Sequence, residues 1–252
     1  MRIDAVSIFP QYLDALDISL IGKARREGLI DLRVHDLRDF AHDRHRTVDD
    51  TPYGGGAGMV MKPQPWSEAL THVLDSADET TGPAPVLVVP GPGGERFTQA
   101  TARELAQAPW LAFACGRYEG IDERLLAAEV DEELSIGDYV LSGGELAAAV
   151  VVDAVARLQE GALGDAESAV QDSFEGDGLL DCPHFTRPVE HELGQVPDVL
   201  LSGNHAEIAK WRRQQSLVRT LERRPDLIDE STLGKADRRL LVAWRDGQGK
   251  PD

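Results

Sequence analysis

Three short apolar runs punctuate the first half of the chain, at residues 3–9, 86–89 and 111–115. Gly or Pro bounds the last two, and their length reads as buried strand. Helical patterns lie between them. Residues 65–75 follow a glycine-rich loop, and residues 101–107 open with Thr101-x-x-Glu104, a capping-box pattern. Residues 145–158 are apolar on nearly every side, with Asp153 and Arg157 four apart on one edge, which predicts a buried helix. Strands alternating with helices predict an α/β fold with a mainly parallel sheet. Residues 159–178 turn to Gly, Asp and Glu and read as an exposed linker. No strand is predicted from Leu179 onward. Residues 204–224 form an amphipathic helix with Trp211, Leu217, Val218 and Leu221 on a broad apolar arc. Arg212, Arg219 and Arg223 fall within about 40° of one another on a different face. A domain boundary is therefore expected within residues 160–180.

The 252 residues suffice for a full core without staples. Cys115 and Cys182 stand far apart with no CxxC, against a disulfide framework or a zinc ribbon. The first residues, MRIDAVSIFP, lack the basic start and apolar core of a signal peptide, and no window approaches a membrane span. The expectation is a soluble cytoplasmic protein with no membrane partner. A net charge of −18 at first argues against a nucleic-acid partner. Its distribution weakens that argument. Residues 119–181 carry 17 acidic and 2 basic residues, whereas residues 210–224 carry six Lys/Arg against Glu222 alone.

Four glycine-rich segments stand out: YGGGAGM at 53–59, PGPGGE at 90–95, CGRYEGID at 115–122 and SIGDYVLSGGE at 135–145. Each alone reads as a turn. Two of them directly follow predicted strands, where open α/β sheets bind ligands, which favours a shared site. No GKS or GKT follows any of them, and no glycine follows the first strand, so the Walker and Rossmann phosphate cradles are both absent. A nucleotide-dependent oxidoreductase is disfavoured for the same reason. A loop-built pocket for a nucleoside-like cofactor remains.

Those loops, with PYGGGAGMVMKPQP upstream and DSF, GLLDCPHFTRP and LLSGNHAEIAKWRRQQSL downstream, closely resemble the bacterial tRNA (guanine-N1)-methyltransferases of the trefoil-knot superfamily. The resemblance runs from residue 1 to about residue 225. It implies a knotted parallel-sheet α/β cofactor-binding domain over residues 1–160, a linker over 161–178 and a small α-helical tRNA-binding domain over 179–252. It also implies a homodimer with active sites at the interface, which binds the tRNA anticodon stem-loop. The reaction implied is methylation of N1 of the guanosine immediately 3′ of the anticodon by S-adenosylmethionine. The alternative is an RNA-binding protein with a vestigial cofactor site.

On the family's pattern the cofactor lies against Pro92 and Gly94, then Gly116, Tyr118, Glu119 and Gly120. Ser135, Ile136, Gly137, Asp138, Tyr139, Val140, Leu141, Gly143 and Gly144 complete the cradle. Asp172 is the implied base, Arg157 the cation beside O6, and Asp181 a second carboxylate for the guanine edge. Spacing alone also allows plainer readings: an Asp153–Arg157 helical pair, and Asp172 as a linker or N-cap residue. Asp49, Asp50 and residues 53–58 are implied near the target base. Lys210, Arg212, Arg213 and Arg219 are the implied phosphate contacts, with Trp211 in the core. Cys182 and His184 look like half of a metal site, but no matching ligands are legible, so no metal site is assigned. A magnesium requirement stays open. Between DSF and GLLDC this chain carries EGD, often one residue longer than in the family.

Overall fold

Alternate residues along the central strands point to opposite faces, and both faces are apolar. Ile3 and Ala5 of β1 (Arg2–Ser7) join one cluster, with Val88, Leu111 and Phe113. Val6, Leu87, Val89, Ala112 and Ala114 join a second cluster on the other side. Burial on both sides is what turns these strands into nearly continuous apolar runs. They belong to a five-stranded parallel sheet in the order β2-β1-β6-β5-β7. Here β2 is Asp31–Asp36, β5 Val86–Arg96, β6 Trp110–Ala114 and β7 Glu132–Ser135. Two-residue strands β3 (Asp49–Asp50) and β4 (Val60–Met61) pair separately and antiparallel. Helices α1 (Ser19–Arg26), α3 (Gln99–Leu105) and α5 (Glu145–Ala156) supply residues to the first cluster. Helices α2 (Pro63–Asp75) and α4 (Glu123–Glu129) supply the second.

This computed structural model describes residues 1–79, 81–82, 84–164 and 171–248. The chain divides into two compact units, Met1–Ala166 and Glu167–Asp252. The expected linker, residues 161–178, straddles that division, and its residues 165–170 lie outside the described residues.

Several elements differ from their sequence reading. The cap of α3 is Thr98, whose hydroxyl accepts the Thr101 N–H at 3.3 Å, so the helix begins before the Thr101–Glu104 box. Strand β5 runs on to Arg96, and edge strands β2 and β7 are present although DLRVHD and EELS are too polar to read as buried. The apolar first run also hides a charge. Asp4 is fully buried and accepts hydrogen bonds from Arg2 Nε at 2.6 Å, His35 Nε2 at 2.7 Å and Trp110 Nε1 at 2.7 Å. Arg2 stacks over the Trp110 ring at 4.3 Å and donates to the Ser76 carbonyl at 2.7 Å. Burial works to raise the Asp4 pKa, but the bonds from His35, Arg2 and Trp110 outweigh it and hold the carboxyl below its usual value.

The second unit is mainly helical: α6 (Asp198–Leu201), α7 (His205–Arg223) and α8 (Lys235–Gln248). A two-residue hairpin, β8 (Glu190–His191) with β9 (Gly194–Gln195), corrects the expectation of no strand past Leu179. Asn204 caps α7 by accepting the Glu207 N–H. Leu179, Leu217, Val218 and Leu241 form the core, with Leu221 and Trp244 packed on it. Trp211 lies outside that core. It is half-buried, 6.2 Å from the Phe185 ring.

The Asp4 cluster makes a testable demand. Asp4→Asn leaves the buried Arg2 without its counter-charge and is expected to cost about 3–5 kcal/mol in urea unfolding at pH 7. Because the folded pKa of Asp4 is depressed, its stabilisation is complete above pH 3.8 and fades as pH falls through the folded value. The gap between wild type and variant should therefore narrow below pH 3.8.

Candidate functional site

A cavity of about 440 Å³ opens at the C-terminal ends of β5, β6 and β7. Its walls are three of the four glycine segments. The first comes from a local break in register: Leu134 pairs with both Pro90 and Glu95, so residues 91–94 are squeezed out of the ladder. A Cβ on Gly94 would sit 2.3 Å from the Glu133 carbonyl carbon and 2.4 Å from Leu134 N. Only glycine allows that backbone approach.

The second wall is the turn after β6. Tyr118 adopts φ +61° and Gly120 φ +114°. The third returns from β7 and is stitched to the second: Gly144 N donates to Gly116 O at 2.8 Å, and Arg117 bridges Gly143. A buried carboxylate pins the seam. Glu145 accepts from Ser7 Oγ at 2.6 Å, and both of its oxygens lie 3.0 Å from Arg117 Nε. The Arg117 guanidinium lies 4.6 Å from the Phe9 ring and 4.7 Å from that of Tyr12. Three parts of the chain thus converge on one group. Neighbouring Cys115 is fully buried, and burial together with Glu145 pushes its thiol pKa up.

Of the cradle residues expected from sequence, the cavity is lined by Pro92, Gly116, Tyr118, Glu119, Gly120, Ser135, Ile136 and Gly137, and by Tyr139, Val140, Leu141, Gly143 and Gly144. Gly94 and Asp138 do not line it. Gly94 acts behind the wall, by its contact with Glu133. Arg117, Glu133, Leu134, Ser142 and Ala147 also line it and were not singled out. Position inside CGRYEGID could have flagged Arg117; the others carry no local signal. The loop at 53–58 borders this wall, for Glu119 N donates to Met59 O at 2.9 Å and a Cβ on Gly58 would meet Glu119 Oε1. Tyr53 at its tip is fully exposed. Asp50 pairs with Val60, and Asp49 with Met61.

The remaining expected residues divide between the units. Arg157 is the half-buried C-cap of α5 in the first. In the second, Asp172 and Asp181 lie on segments laced together: Asp181 N donates to Ser173 Oγ at 2.9 Å and Phe174 N to Leu179 O at 2.8 Å. The Asp181 carboxylate is 2.7 Å from His184 Nε2 and accepts the Cys182 N–H at 2.6 Å. Burial would raise its pKa, but these bonds win and lower it. Cys182 and His184 are joined by Asp181, with a donor atom of each of the three within 4.8 Å of the others.

On α7, Arg212 is exposed, Arg219 half-buried, and exposed Lys210 lies 3.7 Å from Glu207. Arg213 is engaged within the unit. It binds Asp177 at 2.5 Å and Asp237 at 2.7 Å, so its charge ties α7 to α8 and to the 172–179 turn. No helix among the described residues is long and apolar enough to cross a membrane.

A parallel α/β sheet with a loop-walled cavity at its carboxyl edge defines a ligand-binding α/β protein of the open-sheet class. The chain belongs to the tRNA (Guanine-1)-methyltransferase TrmD family, whose model matches residues 1–230. It is 59% identical over 250 residues to a Stenotrophomonas maltophilia protein named tRNA (guanine-N(1)-)-methyltransferase, covering 98% of each chain. Proteins of the same name from Pseudarthrobacter chlorophenolicus and Xanthomonas oryzae pv. oryzae are 59% and 57% identical. They are matched over 96% and 100% of this chain, and 91% and 96% of theirs.

Two neighbouring glycines test the wall. Gly94→Ala places its methyl against backbone and is expected to cost about 1–3 kcal/mol in chemical denaturation. Gly93→Ala meets only the end of the Glu133 side chain, at 3.2 Å, and should cost clearly less.

Proposed function

We propose that this protein methylates N1 of the guanosine immediately 3′ of the tRNA anticodon, with S-adenosylmethionine as donor. The observation that carries the reading is the three-loop cavity, in a chain that matches the family over residues 1–230. Its volume of about 440 Å³ falls in the range of small-molecule sites. Its lining combines apolar Ile136, Leu141 and Ala147 with glycine backbone and the Glu119 carboxylate, which suits a nucleoside with a cationic tail. A Cβ on Gly144 would press to 3.2 Å on the Cys115 Cα, so close backbone approach is part of the cradle. When bound, S-adenosylmethionine supplies a methyl group on a sulfonium.

The chain's residues do the rest. Guanine N1 carries a proton at neutral pH. Asp172 removes it as the methyl is transferred, a role typically worth about 10²–10⁴-fold. Negative charge then develops toward O6, where Arg157 stabilises it. Asp181 holds the guanine edge. The glycine-rich 53–58 loop borders the target base. Lys210, Arg212 and Arg219 grip phosphates of the anticodon stem-loop, while Arg213 serves the helix pair.

The first unit is read as the knotted cofactor domain and the second as the tRNA-binding one. The stitching of residues 143–144 onto 116–117 supports threading of the segment after β7. The reading takes the protein as cytoplasmic and as a homodimer with sites at the interface; apolar side chains left exposed near the cavity, Val140, Leu141, Leu146 and Val150, support the second of these. Magnesium takes oxygen ligands. The group of three metal-capable side chains found among the described residues offers one carboxylate beside a thiol and an imidazole, which does not fit magnesium, and no step here uses it.

Mass spectrometry of nucleosides from tRNA transcripts incubated with the protein and S-adenosylmethionine tests the reading. Transcripts with G after the anticodon should gain 1-methylguanosine at that position, and those with A should gain nothing. Asp172→Asn should bind the cofactor as wild type and lose about 10²-fold or more in turnover. Absence of methylation with intact tRNA binding would favour an RNA-binding protein with a vestigial site.

A further inference from the structure

Asp181, Cys182 and His184 gather a carboxylate, a thiol and an imidazole whose donor atoms all lie within 4.8 Å of one another. The carboxylate already bridges the other two. One oxygen lies 2.7 Å from His184 Nε2, and the other accepts the Cys182 backbone N–H at 2.6 Å. The supporting backbone is fixed. Asp181 N is bonded to Ser173 Oγ, and Leu180 N donates to Thr220 Oγ1 of α7 at 3.0 Å. The trio has a closed side and an open one, for Cys182 is buried while His184 is exposed.

We propose that Asp181, Cys182 and His184 form a binding site for a borderline divalent cation of the zinc type, with its fourth position open to solvent. Three mixed S, N and O ligands plus one water is a common open zinc arrangement. Thiolate and imidazole select such ions over magnesium, which needs a near-octahedral set of oxygens. On binding, the ion takes the place of the thiol proton, which leaves to solvent; the Nε2 proton that bonds Asp181 exchanges through solvent to Nδ1, and Nε2 then binds the ion. Thiolate and carboxylate together neutralise the ion, so the half-buried site carries no net charge. The site stands independently of the proposed methyl transfer. It bears on that reading because an ion held there withdraws Asp181 from the guanine edge.

Cobalt(II) titration of the full chain tests the site, since a bound thiolate gives a charge-transfer band that carboxylate and imidazole sites lack. One equivalent of cobalt should raise the band, excess magnesium should leave it unchanged, and one equivalent of zinc should abolish it. Cys182→Ser should remove the band. Cys115→Ser, the other cysteine, should keep it. His184→Ala alters an exposed side chain, so it should stay folded and weaken cobalt binding at least about tenfold. No band in the wild type, a band that survives in Cys182→Ser, or unchanged affinity in folded His184→Ala would each overturn the proposal.

Discussion

The site depends on one buried carboxylate. Glu145 opens α5 and is almost fully buried, yet it holds Ser7 from the end of β1 and Arg117 from the turn after β6. A lone carboxylate could not remain charged there. With the hydroxyl, the guanidinium and the helix N-terminus around it, the group is satisfied, and the Phe9 and Tyr12 rings cover Arg117. Two walls of the cavity meet at this point. Glycine at both positions lets the Gly143–Gly144 segment lie against Gly116: a Cβ on Gly143 would meet Arg117 Nε at 2.4 Å and Glu145 Oε2 at 2.5 Å, and one on Gly144 would press on the Cys115–Gly116 backbone.

Charge is distributed to match. The acidic stretch at 119–181 includes Glu119, Glu123 and Glu133 on the cavity wall, an environment that favours a cationic ligand. The basic stretch at 210–224 is thinner than its count suggests. Arg213 is held by Asp177 and Asp237, and Arg224 lies 2.7 Å from Asp226. The proposed RNA grip would then rest on few phosphate contacts, which implies a shallow salt dependence and a reliance on fit as well as charge.

The sequence disclosed what burial makes uniform. Strands β1, β5 and β6 are covered on both faces and stand out as apolar runs, and α5 and α7 show their packing stripes. Edge strands β2 and β7 stayed hidden because one edge and part of their faces meet solvent, which permits Asp31, Arg33, Glu132 and Glu133. Asp4 was hidden for the opposite reason. Its partners Arg2, His35 and Trp110 come from three strands, and no window of sequence displays them together. The glycine loops announced a pocket, since close backbone approach leaves a compositional trace. The clamp behind them did not, because Ser7, Arg117 and Glu145 are spread over more than half the chain. The Asp181–Cys182–His184 trio is local in sequence, but only the fold of the 179–184 segment turns the carboxylate onto its neighbours.

On the proposed function, this clamp shapes a pocket for S-adenosylmethionine. Isothermal titration of that ligand into wild type and Glu145→Gln tests it most directly, with circular dichroism to establish that the variant is folded. The glutamine keeps the shape and the Ser7 contact but removes the charge that fixes Arg117. Wild type should bind saturably, and the folded variant should lose about tenfold or more in affinity. Equal affinity in the two folded proteins would contradict it.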